Sequence, residues 1–286
     1  MNIVQAKGYY MLLHSFRKSG VITTRTRYLG KTIPKDVEQR KEKFLRQCLK
    51  EDAFKKIESI QKKFRKEWKT YPETIKEKML LDLSIDFTYN TNAIEGSTIT
   101  LEETEDLIKR KISPQKDIRD VQETINHART FFEVLNEKRS LSLPILIQWH
   151  NDIFHDTKND IAGTLRQYHV KVGTYMAPDW QDVEQLIKEF VVWYRKNEGV
   201  LNPVEFSARV HYKFEKIHPF GDGNGRIGRL LIAYTLQRAH YALMIIEYKK
   251  RKQYYHALTK TEHDFVNYFI QRYIRVHKRY LEKEKN

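Results

Sequence analysis

The stretch HPFGDGNGRIGR, His218 to Arg229, packs four of the chain's eleven glycines into eight residues, beside a histidine, an aspartate and two arginines. The rest of the chain is sparse in Gly and Pro and plentiful in Lys, Glu, Leu and Ile, a composition that favours helix. The loop therefore interrupts helices. One is expected to end near Ile217, and the next to begin at Asn224 or Gly225 with Ile227, Leu230, Leu231 and Tyr234 as its apolar stripe.

A glycine loop at a helix start can hold an anion. The first backbone N–H groups of a helix are unspent, and Gly223 and Gly225 let phosphate oxygens approach the backbone closely. Arg226 and Arg229 are three apart, hence on one helix face, where two guanidinium forks are placed to clamp successive phosphates. Asp222 would repel phosphate unless a divalent cation lay between them, so it reads as a Mg²⁺ ligand. His218, at the loop entrance, is the nearby side chain able to take a proton at neutral pH. These parts predict attack of a hydroxyl on a nucleotide phosphate. A capped helix–loop–helix with a core histidine is the plain alternative, and it does not account for the combination. GNGRIG, Gly223 to Gly228, matches G-x-G-x-x-G, but a helix precedes it where the dinucleotide fold needs a strand. There is no G-x-x-x-x-G-K-[ST] and no D-F-G, and His150 and His155 do not make H-E-x-x-H.

HPFGDGNGRIGR is similar to the signature of the Fic (filamentation induced by cAMP) family, H-P-F-x-[DE]-G-N-G-R-x-x-R, and matches it at every specified position. The resemblance extends through PVEFSARVHYKFEKI, LRQYHVKVGTYMAPD and RKQYYHAL, from about Tyr71 to the C-terminus, and more weakly to YLGKTIP. It implies a mainly α fold, a Fic-type helical bundle with a β-hairpin flap and an N-terminal arm. It implies transfer of AMP from ATP to a Ser, Thr or Tyr hydroxyl of a target protein, or of the enzyme itself, with Mg²⁺ or Mn²⁺ as cofactor. By resemblance His218 is the general base and Asp222 the metal ligand. Gly223, Asn224 and Gly225 form the anion hole and Gly221 joins them in nucleotide binding, with Arg226 on the phosphates and Arg229 reaching the γ-phosphate. Tyr254 and Tyr255 lie near adenine and ribose. Glu262 stands where some relatives place an asparagine near the base. Val172 belongs to the flap that docks a target segment by edge-strand pairing.

A second motif lies upstream. In TNAIEG, Thr91 to Gly96, the apolar residues Leu80, Leu83, Phe87 and Ile94 put Glu95 in the last turn of a helix, with Gly96 at its C-cap. Thr100 and Glu103 then open the next helix as a capping box. A carboxylate at a helix C-terminus opposes the dipole and calls for a cation. TNAIEG matches the family's [ST]-x-x-x-E-[GN] inhibitory helix. That resemblance implies that Glu95 takes Arg229 from the γ-phosphate and that Thr91 helps fix the helix.

Around this core, residues 1–40 read as an arm, with SGVITTRTRYLGKTIP between Gly20 and Pro34 forming a hairpin or extended segment. Residues 41–70 read as a charged helix. Its partial stripe of Phe44, Leu45, Leu49, Phe54, Ile57 and Ile60 fits packing on the main body or on a second copy, a homodimer. Residues 71–286 then make the Fic domain, with the inhibitory helix at about 76–96. Ser113-Pro114 and Asn202-Pro203 are read as helix starts, the second with Glu205 as a capping box. Tyr168, Val170 and Val172 alternate with polar residues between Gln167 and Gly173, a strand signal, and residues 254–281 read as one long closing helical segment.

One cysteine, Cys48, rules out an intramolecular disulfide framework, and no apolar run reaches membrane-spanning length, so a cytoplasmic location is expected. The net charge of +15 attracts anions but names no partner, and no helix-turn-helix or basic–aromatic cluster argues for nucleic acid. Removal of AMP from a modified protein, use of another nucleotide donor, and a non-enzymatic DNA-binding role remain the competing readings.

Overall fold

The computed structural model describes residues 1–18, 21–173 and 175–282. Gly20, expected to bound the arm, and the side chain of Leu49 lie outside the described residues. The arm is more than a hairpin. Strands β1 (Asn2–Ala6), β2 (Tyr9–Lys18) and β3 (Val21–Gly30) form an antiparallel sheet in the order β1-β2-β3. Lys7 and Gly8, both at positive φ, make the tight β1–β2 turn, which needs that conformation at both central positions. Leu12 and Leu29 from the sheet bury against Phe44 and Cys48 of helix α1 (Val37–Thr70).

The partial stripe of α1 is covered by the same chain. Leu45, Ala53, Ile57 and Ile60 pack in one cluster with Phe265, Val266, Phe269, Ile270 and Tyr273 of α10 (Glu262–Val276). The second, larger cluster lies between α4 (Ile118–Asn136), α5 (Leu143–Phe154) and α6 (Val183–Asn197), and joins Phe131, Trp149, Phe154 and Tyr194 to Phe214, Leu230 and Tyr234. The last three belong to α7 (Pro203–Ile217) and α8 (Asn224–Arg238), whose opposite faces contribute Val204, Ala208, Ile232 and Leu236 to the first cluster. This helix pair is therefore buried on both sides. Each fully buried Phe or Leu contributes about 2 kcal/mol relative to exposure, and the loop between the helices is anchored at both ends by that packing.

Several local expectations are corrected. Ser113-Pro114 starts no helix; α4 begins after Asp117, whose side chain accepts from Arg119 N–H at 2.8 Å. Asn202 does cap α7, accepting from Val204 and Glu205 N–H, but the Glu205 carboxylate turns to Arg209 at 2.8 Å instead of completing a box. The box at Thr100 and Glu103 is complete, although its helix α3 (Leu101–Glu105) runs on into a single π turn at Asp106–Arg110. The closing segment is broken into α9 (Arg251–Leu258), α10, which Thr261 caps, and a 3₁₀ turn at Lys278–Leu281. The strand signal yields only β4 (Lys171–Val172) and β5 (Tyr175–Met176), joined through Gly173 at φ +59°.

Candidate active site

The loop from His218 to Gly223 joins α7 to α8. His218 ends α7 in the left-handed region, φ 52° and ψ 61°, a conformation that costs a non-glycine residue about 1 kcal/mol and needs outside support. Asn224 closes the loop. Its side-chain oxygen accepts from Phe220 N–H at 2.9 Å and its amide donates to Phe220 C=O at 2.8 Å. The side chain thus shapes the loop from inside, and only the backbone N–H of Asn224 faces the helix start. Gly223, at φ +74°, precedes α8 without any side-chain cap, so the first N–H groups of that helix are left for another acceptor. A Cβ at Gly223 would sit 2.3 Å from the Phe154 ring, and one at Gly221 would sit 2.1 Å from the Tyr168 hydroxyl.

His150 fixes the same loop. Its Nδ1 accepts from Gly163 N–H at 2.9 Å, so its Nε2 carries the proton and donates to Asp222 C=O at 3.0 Å. Burial pulls the ring down to a pKa of about 4, which keeps it neutral in this tautomer. Asp222 Oδ1 accepts from Gly223 N–H at 2.6 Å, and Oδ2 pairs with Lys158 at 2.7 Å. Burial opposes the Asp222 charge, but Arg226 and Lys158 hold its carboxyl below the ordinary value. Arg226 pairs with Glu123 and stacks 4.3 Å over Phe154.

The expected pair of phosphate clamps divides here. Arg226 lines a polar cavity of about 300 Å³ with Glu123, Lys158 and Asp222. Arg229 lines a separate cavity of about 640 Å³ with His218, Glu215, Val172, Tyr254 and Tyr255. Glu95 lines both. Residues three apart on α8 diverge because each guanidinium is drawn to a different carboxylate.

Glu95 is the cap residue of α2 (Glu73–Ile94) rather than part of its last turn, and Gly96 follows it at φ +98°. Glu95 Oε1 lies 2.5 Å from Arg229, which also donates to the backbone carbonyl of Thr91 at 3.3 Å. Burial works against the Arg229 charge, yet Glu95 raises its pKa above the ordinary arginine value. Gly225 makes the pairing possible, since a Cβ there would lie 2.2 Å from Glu95 Oε1.

In the larger cavity the Tyr254 hydroxyl pairs with His211 Nε2 at 2.8 Å, and the Tyr255 hydroxyl donates to Ile94 C=O at 3.1 Å. Glu262 is not part of the wall; it sits at the start of α10 against Arg209 and Lys213. Burial lowers the pKa of His218, so its ring is neutral at pH 7. Glu215, Glu123, Lys158 and His150 were not expected at the site. Glu215 had a signal, lying one turn before His218 on the same helix face; burial pushes its carboxyl up to about 7. Glu123 and Lys158 arrive from α4 and from the segment after α5 by tertiary packing alone.

A buried helix pair carrying this loop, with a carboxylate from the end of a third helix on its final arginine, defines a class of helical domain. The sequence model of the Fic/DOC family matches residues 140–236. The chain is 33% identical over 188 residues to a protein adenylyltransferase Fic of Nematostella vectensis, an alignment covering 64% of this chain and 44% of the relative. With the same-named protein of Drosophila grimshawi it is 30% identical over 187 residues, covering 64% and 39%. The match thus spans less than half the length of these relatives. Among solved structures, a Fic domain containing signaling protein from Bacteroides thetaiotaomicron superposes with a TM-score of 0.68 at 25% identity, covering 78% of this chain and 95% of that one. Fic-1 of C. elegans (aa134–508) gives 0.72 at 24% identity, covering 86% and 76%, a likeness of fold. Residues 140–236 thus carry a Fic/DOC-family domain, and the fold around them is similar to that of Fic proteins.

Proposed function

We propose that this chain is a protein adenylyltransferase whose resting state is inhibited. The observation that carries the reading is the placement of neutral His218 and buried Arg229 on one cavity, beside the uncapped N-terminus of α8. ATP enters the larger cavity with its base side toward Tyr254 and Tyr255, and its phosphates pass over the N–H groups of Asn224 and Gly225 toward Arg226 and Asp222 in the smaller one. The target hydroxyl enters beside Val172 of the flap. Its oxygen attacks the α-phosphorus while its proton passes to His218; the bond to the β-phosphate oxygen breaks and pyrophosphate leaves. The α8 N-terminus and Arg226 meet the charge that builds on the phosphate oxygens.

Among the described residues no cluster of three or more His, Cys, Asp or Glu side chains forms a protein-only metal cage. One charged, half-exposed carboxylate, Asp222, fits a Mg²⁺ that takes its other ligands from phosphate and water. Asp222 would hold the Mg²⁺ or Mn²⁺, which supplies neutralisation of phosphate charge, and Lys158 is the cation it would displace. With Arg229 committed to Glu95, the γ-phosphate lacks its arginine, and productive binding requires that the pair open.

Incubation with labelled ATP and Mg²⁺ tests the reading. Glu95→Gly is expected to raise self-labelling over the wild type, and His218→Ala in that background to abolish it. Equal labelling of wild type and Glu95→Gly would sink the inhibition. The partly exposed Glu95 carboxylate, lining both cavities, also supports a hydrolytic reading in which it orients a water toward an AMP-modified protein; release of AMP from pre-modified protein by the wild type distinguishes the two.

A further inference from the structure

Arg166, in the segment leading into the flap, is 3% exposed and sends its hydrogen bonds to three backbone carbonyls. Nε donates to His218 C=O at 2.8 Å. One terminal nitrogen donates to Tyr168 C=O at 2.9 Å and the other to Pro178 C=O at 2.7 Å. Tyr168 and Pro178 are the two feet of the flap, flanking β4 and β5, which Ala177 N–H closes onto Val170 C=O at 3.1 Å. The backbone N–H of Arg166 adds a bond to Pro219 C=O at 3.0 Å. The hairpin itself is too short to fix its own direction: each strand has two residues, and Val172 and Met176 are exposed. Another tether is the Tyr175 hydroxyl, which donates to Lys216 C=O at 2.9 Å.

A buried guanidinium is costly unless every donor direction is met, and a planar fork serves three fixed acceptors where an ammonium cannot. We propose that Arg166 is a positioning residue that locks both feet of the flap to the carbonyl of His218, so that the docking edge and the base keep one fixed relation. This rests on the reading of His218 as base and of the flap as the docking edge. The buried charge has a second effect on the same histidine. The groups acting on His218 are Glu215 from α7, Glu95 from α2, Asp222 in the loop and Arg166, with Arg229 from α8, Lys216 and Tyr175 on the same cavity wall. Arg166 is the cation among them that disfavours the imidazolium, so it helps keep the ring unprotonated.

The test uses the full chain with Arg166→Gln and Arg166→Lys, read by hydrogen exchange and by NMR titration of the His218 ring, neither of which needs activity. Arg166→Gln removes fork and charge: exchange at 170–173 and 175–177 should speed up about tenfold or more relative to α7 and α8, and the His218 midpoint should move up. Arg166→Lys keeps the charge and, where Gln impairs folding, carries the test: flap exchange should rise while the midpoint stays at the wild-type value. Unchanged flap exchange in both variants overturns the proposal, as does an equal rise across flap, α7 and α8, which would mean general loosening. In the Glu95→Gly background, Arg166→Lys should also reduce self-labelling several-fold. Absence of labelling in Glu95→Gly itself would count against the transferase reading and leave the exchange and titration results to decide the role of Arg166.

Discussion

Arg229 and Glu95, 2.5 Å apart at the end of α2, join a fully enclosed cation to a carboxylate that still touches solvent. Removing a partner from a buried pair leaves an uncompensated charge, at a cost on the order of 3 kcal/mol. Glu95→Gly should therefore melt below the wild type. ATP should then raise the variant's melting temperature more than the wild type's, because phosphate replaces the lost anion only in the variant. Equal ATP-induced shifts in differential scanning fluorimetry would contradict this.

Gly223→Ala should lose both stability and nucleotide binding. The added Cβ meets the Phe154 ring at 2.3 Å, and φ +74° is unfavourable for alanine by about 1–2 kcal/mol before any clash. Urea unfolding should show a loss of at least about 2 kcal/mol, and calorimetry should show weakened ATP binding.

Glu215 predicts a pH dependence of stability. Its folded pKa, about 7, lies above the ordinary value of 4.5, so the folded state holds the proton more tightly than the unfolded state. Stability from this group is present below about pH 4.5 and is lost as the pH rises toward 7, by an upper bound of ~3 kcal/mol. Glu215→Gln cannot ionise and should flatten that part of the profile. Denaturant midpoints at pH 5.5 and 8 that move equally in both proteins would refute the assignment.

Lys158 bridges Glu123 at 2.9 Å and Asp222 at 2.7 Å. Lys158→Met should free Asp222 for a divalent cation and lower the Mg²⁺ concentration for half-maximal self-labelling in the Glu95→Gly background by about threefold or more. An unchanged or higher requirement would show that Lys158 helps hold phosphate instead.

The glycine loop, the helices on either side and the Thr100 box were legible because each is written in local chemistry: bare backbone, a cap, a periodic stripe. Other features depended on distant partners. Pro114 looks like a helix start, yet Asp117 supplies the cap, and a proline cannot report which of two nearby turns the chain takes. Glu205 has the right spacing for a box but finds Arg209 one turn away in a dry site, a stronger partner than a backbone N–H. The first two strands carry little local signal, because Lys7-Gly8 is a weaker turn signal than Asn-Gly. Arg226 and Arg229 share a face by spacing, but Glu123 and Glu95, brought in by α4 and α2, set where each guanidinium goes.

Helix α8 is enclosed from Arg226 to Leu236, so the backbone carrying Arg229 has no room to travel. Glu95 sits at the C-cap of its own helix, with a left-handed glycine next to it and its side chain partly in water. Any exchange of partners at Arg229 must then come from the carboxylate turning about its own bonds. Side-chain rotation of an exposed residue takes picoseconds to nanoseconds, whereas helix or domain displacement takes microseconds to milliseconds. A change at this position is thus limited by the breaking of one ion pair and the turning of one side chain, and the surrounding bundle can stay rigid throughout.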